Sequence, residues 1–199
     1  MKLVISVVAA GVFAVGLCGS ALSAQTAGAP AASAANPIMS GEKAIFARAK
    51  DDVLRSAEKM PEENYAFRPT PEVRTFGQLI AHVADGQYEF CGPVLGKKGP
   101  DASVEKTVSS KAGLIQALKD AFAFCDAAYD NLTDADAGTQ VKLFDHDMAK
   151  SALLTFNTAH TFEHYGNIIT YLRIKGLVPP SSEGRPAQTP QKPPESQQK

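Results

Sequence analysis

The sequence has little of three things: excess positive charge, cysteine, and the alternation of apolar and polar residues that marks β-strands. Its 20 lysines and arginines face 21 aspartates and glutamates, which gives a formal net charge of −1. A chain without a basic stripe is poorly suited to nucleic acid or to electrostatic attachment to an anionic membrane. The missing alternation argues against a sheet and favours helices.

The three cysteines show neither CxxC nor zinc-finger spacing, which argues against a cysteine-based metal site. Cys18 lies in the N-terminal apolar run, so only Cys91 and Cys125 are left for the folded domain. We place Cys91 near the end of a helix and Cys125 well inside the next. Their positions along the helix axes would then differ by more than a disulfide spans, which favours two buried free cysteines. An exported protein could still oxidise the pair.

The N-terminus has the pattern of a secretory signal peptide over residues 1–24. Lys2 is followed by the apolar run Leu3–Leu17 and by small residues up to Ala24. An uncleaved anchor is the alternative, but the run is near the lower limit of about 17 residues for a membrane span. Cleavage would leave 19 basic against 21 acidic residues. We therefore predict a periplasmic or secreted protein without stable membrane association after cleavage.

Two further segments lack the apolar residues that a core needs. Residues 25–36 are rich in Ala, Ser, Gly and Pro and predict a flexible linker. Residues 182–199 are rich in Pro and Gln and predict a disordered tail. One domain over residues 37–181 is left between them.

Within that domain, apolar residues recur at helical spacing in four stretches. Thr75 and Gln78 form a capping-box pattern at the start of the second. The four predicted helices are Glu42–Met60 with Ser40 as its cap, Thr75–Val94, Ser110–Leu132 and Asp147–Lys175. Amphipathic helices of this number and length predict an all-α fold, a four-helix bundle.

The fourth helix carries two histidines one turn apart, His160 and His164. They belong to a row spaced by four residues that also contains Phe156, Ile168 and Leu172, which predicts that they face the core. Two buried imidazoles need polar partners, and a shared metal ion satisfies both. His82 on the second helix would complete a site of three histidines with open coordination positions.

Two other metal patterns are weaker. His160-Thr-Phe-Glu-His164 matches the inverzincin string with Glu163 as base, but the only later glutamates are Glu183 and Glu195 in the tail. Glu163 also points about 100° away from His164 around the helix. His146, between Asp145 and Asp147, could join a metal site, although a helix cap by either aspartate is the preferred interpretation.

Three polar residues near the histidines are candidates for supporting roles. Asn157 and Asn167 lie three residues from His160 and His164 and could line a pocket. Asp85, three residues after His82, could orient an imidazole. Each fits an ordinary polar position equally well.

Several segments together resemble the DinB-like (DinB/YfiT) superfamily. They are Met60–Pro69, Arg74–His82, His160–Gly166, Tyr171–Arg173 and Gly176–Pro180. The resemblance spans roughly residues 42–181 and implies a four-helix bundle with a divalent-metal site at His82, His160 and His164. It also implies a homodimer, since members are often dimers. Some members are thiol-dependent transferases or isomerases in which the metal activates a low-molecular-weight thiol, and many have no known activity.

Three nitrogen ligands favour zinc, while nickel and iron are compatible. The combined prediction is an exported metal-dependent hydrolase or transferase acting on an unidentified small substrate. Export argues against a thiol transferase, because such thiols are scarce and oxidised outside the cytoplasm. The alternative is a non-catalytic bundle that binds a metal or another ligand.

Overall fold

The computed structural model describes residues 36–184, which contain five α-helices and one short hairpin. The predicted signal peptide, nearly all of the linker, and the tail from residue 185 lie outside the described residues. The elements are α1 Pro37–Lys59, α2 Phe76–Leu95, α3 Val104–Thr107, α4 Lys111–Asn131, β1 Gln140–Leu143, β2 His146–Ala149 and α5 Lys150–Ile174, with 3-10 turns at Glu62–Asn64 and Pro180–Ser182. The predicted all-α character is confirmed for the bulk of the domain.

The four long helices pack around one core. α2 packs against α4 and α5, and α1 packs against the same two helices. Phe46, Phe76 and Phe122 are fully buried there, and each such side chain stabilises the fold by about 1.5–3 kcal/mol. Phe46 stacks on Tyr129 with ring centroids 4.0 Å apart. The Tyr129 hydroxyl donates to the Leu154 carbonyl at 2.7 Å, which ties α4 to α5.

The start of α2 is fixed by the predicted capping box. Thr75 Oγ1 accepts from the Gln78 backbone N–H at 3.2 Å, and Gln78 Oε1 accepts from the Thr75 N–H at 2.9 Å. The helix ends at Gly96, whose φ of 64° lies in the left-handed region that favours glycine. His82 therefore sits two turns inside a helix with both ends defined.

The start of α1 differs from the prediction. The helix begins at Pro37 rather than near Glu42, and Ser40 lies inside it. Proline is well suited to a first helical turn because its missing N–H has no partner there. The backbone N–H groups of Ile38 and Met39 donate instead to the Asp134 carboxylate at 3.0 and 2.9 Å.

The prediction that strands are missing was wrong in one place. β1 and β2 pair antiparallel, with Leu143 opposite His146. Phe144 and Asp145 form the two-residue turn with φ values of 48° and 65°, as a type I′ hairpin requires. Strands of four residues are too short to show periodicity. The hairpin lies at the surface, and its partly buried side chains Val141, Leu143 and Met148 pack against the helical core.

The hairpin also overturns the preferred interpretation of the Asp145–Asp147 segment. Asp145 is a turn residue and Asp147 lies in β2, so neither caps a helix. α5 begins at Lys150 with Ala149 at the N-cap and without a side-chain cap. His146 is exposed in β2 and belongs to no metal-ligand cluster within residues 36–184.

The preference for free cysteines was also wrong. Cys91 of α2 and Cys125 of α4 form a disulfide, with a Cα–Cα distance of 5.3 Å. Counting residues along each helix does not determine how two helices are staggered. The packing of α2 on α4 brings the two positions to the same level.

After α5 the chain returns to α1. Lys59 donates to the Val178 carbonyl at 2.9 Å, and the Glu183 carboxylate pairs with both Arg55 and Lys59. The contact includes Glu183, two residues beyond the predicted domain end at 181. Among the described helices, none combines the length and apolar character that crossing a membrane requires.

Candidate metal centre

The three histidines singled out in the sequence converge at one point between α2 and α5. Nε2 of His160 lies 3.3 Å from Nε2 of His82 and 3.0 Å from Nε2 of His164. One ligand atom from each ring lies within 4.8 Å of the other two. The arrangement joins two rings from one helical face with one ring from the facing helix.

The donor set fits a divalent metal ion. A neutral imidazole carries one N–H and one lone pair, so three Nε2 atoms that face one another cannot all be donors. A cation among them would accept all three lone pairs at once. The Nδ1 atoms of His160 and His164 have no hydrogen-bond partner among the described side chains and backbone.

Burial keeps these imidazoles neutral. Desolvation, followed by the charges of His164, His82 and Arg74, lowers the pKa of His160 to about 4. Desolvation is also the main cause of the lowered pKa values of His82 and His164. The rings are therefore in their metal-binding form at neutral pH.

A glycine on α2 makes room for one of the rings. A Cβ atom at Gly86 would lie 2.8 Å from Cε1 and 3.1 Å from Nδ1 of His160. Phe90, one turn further along α2, packs on the same ring with centroids 5.1 Å apart. Glycine inside a helix costs about 1 kcal/mol relative to alanine. The space that it leaves for His160 accounts for its presence here.

We therefore expect Gly86→Ala to weaken zinc binding at least about tenfold, as displaced ligand orientation does in metal sites. The added methyl group must push the His160 ring away from the other two. Competition with a chromogenic chelator measures the affinity, and thermal unfolding of the metal-free protein monitors the fold. Gly41→Ala is the matched control, because a Cβ atom there meets no atom within 4 Å. Equal zinc affinity in wild type and Gly86→Ala would contradict this account of the ring's position.

Asp85 does not orient an imidazole, contrary to the sequence-based suggestion. Its carboxylate accepts from Ser103 Oγ at 2.6 Å, from the Val104 N–H at 2.6 Å and from the Glu105 N–H at 3.1 Å. Asp85 thus holds the first turn of α3 against α2. It thereby positions a residue of α3 that lies beside His82.

That residue is Glu105, which the sequence analysis missed. Its Oε2 lies 3.9 Å from Nδ1 of His82, and its Oε1 accepts from Nε of Arg74 at 3.1 Å. A carboxylate behind a ligating histidine favours the tautomer with a proton on Nδ1 and a free lone pair on Nε2. Glu105 lies in a four-residue helix, so no periodicity in the sequence could have indicated it.

The remaining candidates divide between the core and the surface. Asn157 is fully buried and donates to Gln87 Oε1 at 3.0 Å, so it belongs to a core network. Asn167 lines the cleft described below. Glu163 is exposed, in agreement with its predicted direction.

The histidine row does not lie wholly in the core. Phe156 is 49% exposed, whereas Ile168 and Leu172 are fully buried. Four residues advance a helix by about 400°, so such a row drifts by about 40° at each step. His160 and His164 lie between exposed Phe156 and buried Ile168 in this row, at the edge of the bundle.

A cleft of about 690 Å³ opens beside His164, the member of the histidine cluster that lies in its wall. Its wall includes His164, Arg74, Glu105, Asn167 and Tyr171. The Tyr171 hydroxyl donates to the Arg74 carbonyl at 2.6 Å and ties the segment before α2 to α5. A small molecule in this cleft would lie next to His164.

The chain belongs to the DinB superfamily, whose family model matches residues 45–168. The family resemblance stated from the sequence is thereby confirmed. None of the curated proteins matches this sequence.

Solved structures with the same fold include two DinB-like proteins. One, from Bacillus cereus, is 18% identical with a TM-score of 0.61, and the match covers 71% of this chain and 95% of that one. The other, from Bacillus subtilis, is 20% identical with a TM-score of 0.56, covering 68% and 92%. A mycothiol-dependent maleylpyruvate isomerase is 14% identical with a TM-score of 0.55, covering 65% and 60%. At these identities the likeness shows the fold alone.

Proposed function

We propose that this protein is an exported metal-dependent enzyme, a hydrolase or transferase that acts on a small substrate. The metal would be a divalent ion held by Nε2 of His82, His160 and His164. The observation that carries the proposal is the convergence of these three atoms beside an open cleft. Zinc is the first choice for three nitrogen ligands with an open position, and nickel and iron fit the same donors.

The chemistry follows from the donor set. Because three neutral imidazoles leave its double positive charge uncompensated, the bound ion would acidify water or polarise a carbonyl oxygen. The chain's own residues would orient what enters the cleft: Asn167 and Thr170 offer neutral hydrogen-bonding groups, and Arg74 offers a cation. The Glu105 carboxylate, 3.9 Å from His82 Nδ1, would favour electrostatically the tautomer that carries its proton on Nδ1.

Export is part of the proposal and has two supports. The first is the signal-peptide pattern of residues 1–24. The second is the Cys91–Cys125 disulfide, since such bonds persist mainly in oxidising compartments. The N-terminus of the protein isolated from its native cells tests cleavage: an exported and cleaved chain begins at Gln25, whereas a retained chain or an uncleaved anchor begins at Met1.

Catalysis is tested with the zinc-loaded protein on a panel of small activated esters and amides, with p-nitrophenyl acetate as the first probe. We expect turnover that disappears after chelation and in His160→Ala. Glu163→Gln should keep it, because Glu163 is exposed. A second panel pairs an added low-molecular-weight thiol with electrophilic substrates and tests the transferase branch.

A non-catalytic metal- or ligand-binding bundle is the second candidate, and one observation favours it. Glu105, the carboxylate beside His82, is ion-paired with Arg74 and is not free to act as a base. Stoichiometric zinc without metal-dependent turnover in either panel would favour this candidate over the enzyme. The homodimer, the missing nucleic-acid partner and the lack of stable membrane association stay predictions.

A further inference from the structure

We infer that the cleft beside the histidines binds a small ligand through a carboxylate group, and that Arg74 recognises this carboxylate. The inference rests on the proposed function for the metal that shares the cleft. The separate evidence for the carboxylate site is that two hydrogen bonds hold Arg74 in place, and that the terminal amino groups of its guanidinium have no hydrogen-bond partner among residues 36–184.

Arg74 is fixed at both ends although its side chain is 43% exposed. Its backbone carbonyl accepts from the Tyr171 hydroxyl at 2.6 Å. At the far end its Nε donates to Glu105 Oε1 at 3.1 Å. An arginine held in this way loses little further conformational freedom when a ligand binds.

The guanidinium keeps most of its donors. It carries five N–H groups, and Nε accounts for one. The two terminal amino groups make no hydrogen bond to any residue between 36 and 184. This pair of parallel donors matches the two oxygens of a planar carboxylate, which is the geometry in which arginine binds most specifically.

The charges of the cleft indicate a singly charged ligand. Its wall contains the carboxylates of Glu72 and Glu105 and the guanidinium of Arg74, which together contribute a formal charge of −1. A divalent ion would change this to +1, which one carboxylate neutralises. We therefore expect carboxylate binding to tighten when zinc is present, a coupling that works equally in both directions.

The rest of the wall favours an apolar body on that ligand. Pro69, Val73 and Leu79 line the cleft together with the Tyr171 side chain. Pockets of about 300–1,000 Å³ that are lined in this way hold small organic molecules. Benzoate is a suitable probe, and benzamide has nearly the same shape without the charge.

The test is a calorimetric titration of the zinc-loaded protein with benzoate, benzamide and inorganic phosphate. We expect benzoate to bind at least about tenfold more tightly than benzamide, and Arg74→Gln to weaken benzoate by a similar factor, as loss of a charged hydrogen-bonding partner does. Phosphate should bind more weakly than benzoate, because it is tetrahedral and carries more charge. Arg68→Gln is the matched control: Arg68 is exposed in the same segment, does not line the cleft, and its loss removes the same charge.

Zinc content and thermal unfolding are measured for every variant, since Arg74 also contacts Glu105. If Arg74→Gln loses zinc, the benzoate titration is repeated with Arg74→Lys, because lysine keeps the positive charge opposite Glu105 but lacks the paired donors of arginine. Equal affinity for benzoate and benzamide, or unchanged benzoate affinity in the zinc-loaded Arg74 variants, would overturn the inference. If wild type takes up no zinc, the proposed function fails, and the comparison of wild type with Arg74→Gln without metal still tests the carboxylate site.

Discussion

Replacing His160 with alanine is expected to weaken zinc binding by more than about a hundredfold, because a lost ligand should cost more than the roughly 10–100-fold of an outer partner. His160 is the central ring of the cluster: its Nε2 lies within 3.3 Å of His82 Nε2 and 3.0 Å of His164 Nε2. Its removal leaves one donor on each of two helices. Chelator competition and elemental analysis of the purified variant measure the loss.

The fold of this variant should persist. His160 lies at the edge of the bundle and is only half-buried, so its truncation opens no sealed cavity. His146→Ala is the control, since His146 is exposed in the hairpin and should leave zinc binding unchanged. A His160→Ala protein that still binds one zinc ion with wild-type affinity would contradict the proposed ligand set.

The second large effect is expected at the disulfide. Reduction of Cys91–Cys125 should lower the free energy of unfolding by about 2–4 kcal/mol, chiefly because a closed loop restricts the unfolded chain. The two cysteines are 34 residues apart and both are fully buried. Domains of this kind are stable by only about 5–15 kcal/mol in total, so the change is a large fraction.

Urea unfolding with and without a reductant measures this effect. The double variant Cys91→Ala and Cys125→Ala is the control and should show no response to the reductant. Identical unfolding curves for the oxidised and reduced wild-type protein would contradict the prediction. They would also remove one of the two supports for export.

The features that the sequence predicted well depend on neighbours along the chain. The capping box of Thr75 and Gln78 joins residues three apart, and the structure contains both of its hydrogen bonds. The pairing of His160 with His164 follows from one helical turn. Apolar periodicity over 20 residues or more fixed the long helices, because a run of that length leaves few alternatives.

The features that it missed depend on contacts between distant segments. α1 begins at Pro37 because Asp134 caps it from 96 residues away. The disulfide depends on how α2 and α4 are staggered, which no local pattern encodes. The hairpin turn at Phe144 and Asp145 lacks the Asn-Gly or Asp-Gly signal that type I′ turns usually show.

The same reasoning explains what was missing from the site. The three histidines could be predicted because His160 and His164 share a helical face and His82 lies on another predicted helix, and the family resemblance implies the same three residues. Glu105 could not be predicted, because its place beside His82 depends on the hydrogen bonds that Asp85 accepts from the first backbone N–H groups of α3. Arg74 could not be predicted either, because its place at the site depends on the hydrogen bond that its backbone carbonyl accepts from the Tyr171 hydroxyl, 97 residues later.

We propose that His82, His160 and His164 hold one metal ion through their Nε2 atoms. Crystals of the protein soaked in zinc, with diffraction recorded on both sides of the zinc absorption edge, test this ligand set. We expect one strong anomalous peak about 2.0–2.1 Å from the three Nε2 atoms, with the remaining coordination positions of the ion facing the cleft. An absent peak at this point, or zinc bound elsewhere while the three imidazoles stay unliganded, would contradict it.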